Sequence, residues 1–237
     1  ISHYQRAVEI SPDLPELHDN LAQAYANLSR YDQAIAEFKK ALELRPQYYP
    51  ATLGLGDVYL ALGMNKEAIA QYKSAEEALP KDSSLQFNLG RAYFAMGLMD
   101  EALVHYREAV RLDPQSASAH YRLGETYRKK GMLQEAISEY EATLTDSPNH
   151  VEALSRVGLA YKEAGRLAES VQAWKRVVEI NPRDIQAHVE LGVLYKGMSR
   201  LDEAIKEYRD ALEISPGDEE LRYQLGLVYT EKGMLDD

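Results

Sequence analysis

The chain has 237 residues, 45% of them hydrophobic, and a net charge of −11 from 38 acidic against 27 basic residues. The acidic surplus excludes the basic footprint of a protein that grips phosphate backbones, so nucleic acid is not an expected partner. Cysteine is absent, which excludes disulfides, Cys-ligated zinc and thiol catalysis. No apolar stretch approaches the roughly 18–20 residues of a membrane span, so the chain reads as soluble, suited to cytosol slightly ahead of periplasm, with no membrane partner.

Seven of the nine prolines, Pro12, Pro46, Pro80, Pro114, Pro148, Pro182 and Pro216, are spaced by 34 residues. A constant period of this size marks stacked structural repeats, which have no single central core. Counted from the third residue after each proline, the complete repeats are 15–48, 49–82, 83–116, 117–150, 151–184 and 185–218. This phase predicts one continuous array whose natural chain extends past both ends.

Residues 1–14 carry Tyr4, Ala7, Val8 and Ile10 and are predicted to form the second helix of an earlier repeat. In the first complete repeat a helix is predicted up to Ser29, then a second with Ala34 and Phe38, which ends before Pro46. The second repeat restates this with Thr52, Leu55, Gly56 and Tyr59 at i, i+3, i+4, i+7, a break at Gly63, then Ala68 and Tyr72. Gly97, Ala102 and Tyr106 mark the third repeat, and Gly131, Ala136 and Tyr140 the fourth. Glycine at the break suits a left-handed helix C-terminal cap, and Asp32, Asp100 and Asp202 are read as opening second helices. The fifth repeat departs from the pattern, with Val157 for Leu, Ser170 for Ala and Trp174 for Tyr; Val177, like Thr143 before it, stands where Ala41, Ala75, Ala109 and Ala211 stand elsewhere. Bulk at a close-packed position predicts altered local helix spacing between residues 143 and 177. The sixth repeat has Ser199, Ala204 and Tyr208, and residues 219–237 supply the first helix of a seventh, with Leu221, Leu225, Val228 and Tyr229.

Leu89-Gly90, Tyr93, Ala102, Tyr106 and Pro114 match the Leu-Gly-x2-Tyr, Ala-x3-Phe and final Pro of the tetratricopeptide repeat (TPR) family, which the whole chain resembles. The resemblance implies an all-α fold, a right-handed α-α superhelix of about 14 antiparallel helices, with no enzymatic activity and no cofactor. It implies a protein-protein interaction scaffold binding a peptide or partner segment in its concave groove. Two alternatives are a self-assembling scaffold joined through terminal helices such as that of Leu221 and Tyr229, and a substrate-recruiting or regulatory arm of a larger enzyme.

Candidate chemistry within the chain has simpler readings. Gly54-Leu55-Gly56 lacks a third glycine at Tyr59, and Gly56 recurs as Gly90, Gly124, Gly158 and Gly192, which points to helix packing. His18, His120 and His188 share the fourth position of separate repeats, too far apart to share one metal ion, so no metal site is expected. Runs such as Glu76-Glu77 read as solvated faces.

In the family the second, fifth, sixth, ninth, twelfth and thirteenth positions face the groove. Phe87 and Phe94 fall there, with Leu53 and Leu60 one repeat earlier and Tyr121 one later, an apolar strip for a partner's side chains. Arg91 and Arg122 are expected to face one another without an acid, whereas Arg156 is expected to meet Glu125. Arg128, Lys129, Lys162 and Lys196 extend this basic strip, so the expected partner offers apolar and acidic residues. The Lys and Asn clamp by which some relatives hold a C-terminal carboxylate is not reproduced, because the fifth positions are Asp19, Leu53, Phe87, Tyr121, Ser155, Val189 and Tyr223.

Overall fold

The computed structural model describes residues 1–233, which hold fourteen α-helices and no strand. The chain divides into two compact units, Ile1–Gln115 and Ser116–Asp237. The first contains α1 (Ser2–Ile10), α2 (Pro15–Asn27), α3 (Tyr31–Leu44), α4 (Tyr49–Ala61), α5 (Asn65–Glu76), α6 (Ser83–Ala95) and α7 (Met99–Leu112). The second contains α8 (Ala117–Lys129), α9 (Leu133–Asp146), α10 (Val151–Glu163), α11 (Leu167–Ile180), α12 (Ile185–Gly197), α13 (Leu201–Ile214) and α14 (Glu219–Lys232). Within each unit α2, α4, α6, α10 and α12 each pack on their own second helix and on the second helix before it, α8 packs on α9, and α14 packs on α13. None of the helices is long and apolar enough to cross a membrane.

Local chemistry sets the helix ends. Five of the residues after first helices, Gly63, Gly97, Gly131, Gly165 and Gly233, have φ between 73° and 80°, and Ser29 and Ser199 adopt the same left-handed conformation at 55° and 57°. The reversal lets the next N–H reach back to the carbonyl of the helix's last tyrosine, as Met64 does to Tyr59 at 2.8 Å and Arg166 to Tyr161 at 2.8 Å. Second helices mostly stop one residue before the residue that precedes proline; Arg45, Asp113, Ser147, Asn181 and Ser215 are turned to ψ of 96°, 86°, 79°, 87° and 78°. Side-chain caps sit on first helices, from Asp82, Ser116, His150, Asp184 and Asp218. Asp32, Asp100 and Asp202 lie inside the first turn of their second helices, where their charge favours the helix N-terminus and no side-chain cap is made.

Each core layer is an aromatic clasped by small residues. Phe38, Tyr72, Tyr106, Tyr140, Trp174 and Tyr208 are all fully buried, as are Ala34, Ala68, Ala102, Ala136 and Ala204. A Cβ on Gly56 would lie 2.5 Å from the Tyr72 ring, and one on Gly158 2.8 Å from Trp174 Nε1, so these glycines exist to admit the ring of their own repeat. The polar substitutions in this core are satisfied locally: Ser170 Oγ donates to the Gly158 carbonyl at 2.7 Å, and Thr143 Oγ1 to the Glu139 carbonyl at 2.9 Å.

Candidate partner-binding faces

In the first unit, Leu53 and Leu60 on α4 and Phe87 and Phe94 on α6 are partly buried, which leaves a shallow apolar face in place of rings standing free in water. Phe87 leans on Tyr106, with centroids 5.8 Å apart and planes inclined 56°. The exposed Arg91 guanidinium sits 5.9 Å over the Phe87 ring and donates to Asn88 Oδ1 at 3.3 Å. Asn88 in turn donates to Asp57 Oδ1 at 2.9 Å, and Tyr72 OH donates to the same oxygen at 2.6 Å. Burial raises the Asp57 carboxyl, opposed by the Tyr72 hydrogen bond and the Arg91 charge. Arg91 therefore acts on an acid of its own unit, a neighbour that the sequence reading did not assign to it.

In the second unit, Tyr121 stacks on His150 at 5.0 Å, and the exposed Arg122 guanidinium lies 5.7 Å over the Tyr121 ring. Among the described residues Arg122 has no carboxylate partner. Glu125, next on the same face of α8, is buried and accepts from Tyr140 OH, from Arg128 Nε and Nη2 at 3.2 Å each, and faces Arg156 Nε at 3.3 Å. Burial alone would raise the Glu125 carboxyl, but Arg128, Tyr140 and Arg156 together outweigh it and hold it below the usual carboxylate range. Arg128 and Arg156 are thus both committed to one acid, and Lys162 is committed to Glu190 at 2.8 Å. The structure places Arg91 and Arg122 in separate units, the first with Leu53, Leu60, Phe87 and Phe94, the second with Tyr121, Arg128 and Arg156.

The repeated histidines join helices. His18 Nδ1 meets Glu37 Oε2 at 2.6 Å while its Nε2 meets the Pro12 carbonyl at 2.9 Å. His188 repeats both bonds, to Glu207 at 2.7 Å and to the Pro182 carbonyl at 3.1 Å, and His120 bonds Glu139 at 2.6 Å. His188, Glu207 and Asp210 bring ligand atoms within 4.8 Å of one another, but the Lys206 ammonium already lies 2.9 Å from Asp210 and 3.6 Å from Glu207, supplying the positive charge that a cation would.

Residues 4–227 match the family described as the cilia and flagella-associated protein 70 C-terminal domain, a TPR domain. The chain belongs to this TPR family. No curated protein matches it significantly. Among solved structures this TPR chain is similar to YrrB, described as a TPR protein with an unusual peptide-binding site, at 26% identity over 78% of this chain and 95% of that one, with a TM-score of 0.65. It is also similar to MamA, at 28% identity over 71% and 92%, with a TM-score of 0.66. A TPR protein of Cytophaga hutchinsonii, 16% identical over 94% and 92%, has a TM-score of 0.78 and supports the fold alone. The TPR assignment makes the chain an all-α helical-repeat solenoid.

Two features of this TPR chain were missed by sequence reasoning. Val193 on α12, at the same repeat position as Glu125, is 38% exposed, beside the Lys196 already expected on the basic strip, which has no hydrogen-bond or ion-pair partner among the described residues. The ninth position also decides whether the core aromatic is satisfied: Tyr72 and Tyr140 reach Asp57 and Glu125, but opposite Leu159 and Val193 the buried Trp174 Nε1 and Tyr208 OH have no partner among the described residues. Reading the ninth and twenty-fourth positions together would have exposed that rule.

Proposed function

We propose that the chain is a non-catalytic protein-interaction scaffold that holds an extended, acidic and partly apolar segment of a partner along the groove face of its first helices. The observation that carries this reading is the surplus of guanidinium on α8 and α10. Arg128 and Arg156 share the single buried carboxylate of Glu125, and Arg122, one turn earlier on α8, rests on the Tyr121 ring with no acid of its own among the described residues. A cation presented on an aromatic ledge, in a chain of net charge −11, offers an incoming carboxylate a charge-assisted hydrogen bond beside an apolar surface. The similarity to YrrB, whose structure is described as having a peptide-binding site, supports the same class of ligand.

The test is selection from a display library of extended peptides. Enrichment of Asp or Glu next to Leu, Phe or Tyr is expected, with affinity falling about tenfold in Arg122→Ala, roughly the loss of one charge-assisted contact, while the far-ultraviolet spectrum is unchanged. Selection of basic peptides, or full affinity in Arg122→Ala combined with Phe87→Ala, would overturn the reading.

A further inference from the structure

The fourth and twenty-third positions of a repeat form a polar bridge. In the first and sixth repeats the imidazole of His18 or His188 spans from the carbonyl of the preceding proline to a glutamate on its own second helix, so the ring ties the preceding loop to that helix. In the third repeat the pair is inverted, with Gln86 at the fourth position and His105 at the twenty-third, 2.7 Å apart. The fifth repeat has Leu154 and Ala173 at these places, and neither can make a bridge. The Pro148 carbonyl, counterpart of those of Pro12 and Pro182, accepts no hydrogen bond from any described residue.

Without the bridge, the cleft of about 400 Å³ between α9 and α11, floored by α10, is lined mainly by carbon, whereas the equivalent cleft of the sixth repeat, about 460 Å³, is lined by His188, Lys206, Asp210 and Glu213. Leu144, Pro148, Leu154, Val157 and Ala173 give the fifth-repeat cleft an apolar interior, and its size falls within the range of pockets that take organic ligands, roughly 300–1,000 Å³. Most polar groups at the mouth are already used: Glu169 pairs with Arg166 at 3.0 Å, and Tyr161 OH donates to Glu141 at 2.5 Å. Arg176 is different, because among the described residues its guanidinium meets only the neutral Asn149 side chain, at 3.2 Å. The cleft thus combines an apolar slot, a carbonyl without a donor and a cation without an anion.

We propose that this cleft docks a tryptophan or tyrosine side chain of a partner polypeptide, its ring N–H or O–H donating to the Pro148 carbonyl and an adjacent carboxylate of the partner meeting Arg176. The chain itself supplies the template, since in the neighbouring repeat a polar-edged ring, His188, meets the equivalent carbonyl at 3.1 Å from the wall of the equivalent cleft. Aromatic side chains with one polar edge suit such a slot, because the ring gains burial while the edge meets an acceptor that has no donor among the described residues. The surface is distinct from the groove face of Arg122 and does not depend on it.

The experiment follows methyl resonances of Leu144 and Val157 while acetyl-Trp-Asp-amide is added to the chain, with acetyl-Ala-Asp-amide as the matched probe. Saturable shifts with the tryptophan probe alone are expected, with Leu21 and Leu55 of the first unit unmoved. The double variant Leu154→His, Ala173→Glu rebuilds the bridge found in repeats one and six, and Ala173→Leu fills the slot with carbon. Each is expected to weaken the tryptophan probe at least about tenfold, a change of about 1.4 kcal/mol, whereas Arg122→Ala leaves its affinity unaltered. Absence of a saturable shift, equal response to the alanine probe, or full affinity in both cleft variants overturns the proposal.

Discussion

The fifth and sixth repeats have the same helices in the same phase, yet they treat their polar groups in opposite ways. In the sixth, His188 and Glu207 form a bridge of two hydrogen bonds, and the cleft between second helices is lined with polar groups. In the fifth, Leu154 and Ala173 leave the equivalent cleft lined mainly with carbon. The difference shows that the repeat backbone is held by its small residues and aromatics, which leaves the fourth and twenty-third positions free to be either a structural bridge or a surface for another molecule.

The largest effect is expected from breaking the bridge where it exists. Glu207→Ala leaves the buried His188 ring with an unpaired nitrogen, and urea unfolding should show a loss of about 3 kcal/mol. A loss below about 0.5 kcal/mol, the ordinary value for a surface change, would mean that the bridge does not hold the sixth repeat together.

The next contrast uses the core tyrosines. Tyr140→Phe removes a hydrogen bond to the ionised, buried Glu125 and should cost about 2 kcal/mol. Tyr208→Phe deletes a buried hydroxyl that has no partner among the described residues, so its stability should stay the same or rise by about 1 kcal/mol. Equal losses in the two variants, measured in the same denaturant series, would show that the ninth-position acid does not matter.

The smallest effect concerns a third unpartnered atom, Oδ1 of Asp19, a residue 7% exposed on α2. Burial raises this carboxyl from 3.8 to about 6, with a further push from Glu16 and a partial counterweight from its hydrogen bond with Gln23. A carboxyl raised in the folded state contributes stability that is full below its unfolded value and is lost as pH climbs through its folded value. Stability from this group should therefore fall between pH 3.8 and about 6. Asp19→Asn should remove that slope and stabilise the chain at neutral pH by about 1.5 kcal/mol, half of the full linkage value because the site can relax and hydrate. Unfolding of both proteins at pH 4 and pH 7 checks the sign: a variant that gains nothing at pH 7 relative to pH 4 refutes the assignment.

Much of this fold was legible in the chain because its signals act over short distances. A proline restricts the residue before it, and a residue with positive φ reverses the chain within one turn, so Pro46 and Gly63 announce helix ends with no tertiary knowledge. The candidate face was legible only in part. Phe87, Phe94, Leu53 and Leu60 were chosen because their repeat position faces a groove, but how deeply each ring sinks depends on neighbours such as Tyr106. The pairing of Arg156 with Glu125 could be foreseen from repeat geometry, whereas the second claim on that carboxylate by Arg128 required both side chains to be seen. The open cleft left a trace in the sequence, since Leu154 and Ala173 break the pattern of His18 with Glu37 and His188 with Glu207, but that trace carries meaning only once the bridge is known.

By itself, then, the sequence determined the period, the helix ends and the aromatic of each layer, because these follow from backbone restrictions and from the volume that a glycine leaves for a ring. The tertiary structure decided which charges are spent inside the molecule and which remain available, and where a gap between helices stays open. Those outcomes rest on side chains meeting within and across helices, where one buried carboxylate can hold two arginines and one missing bridge can leave a cleft apolar.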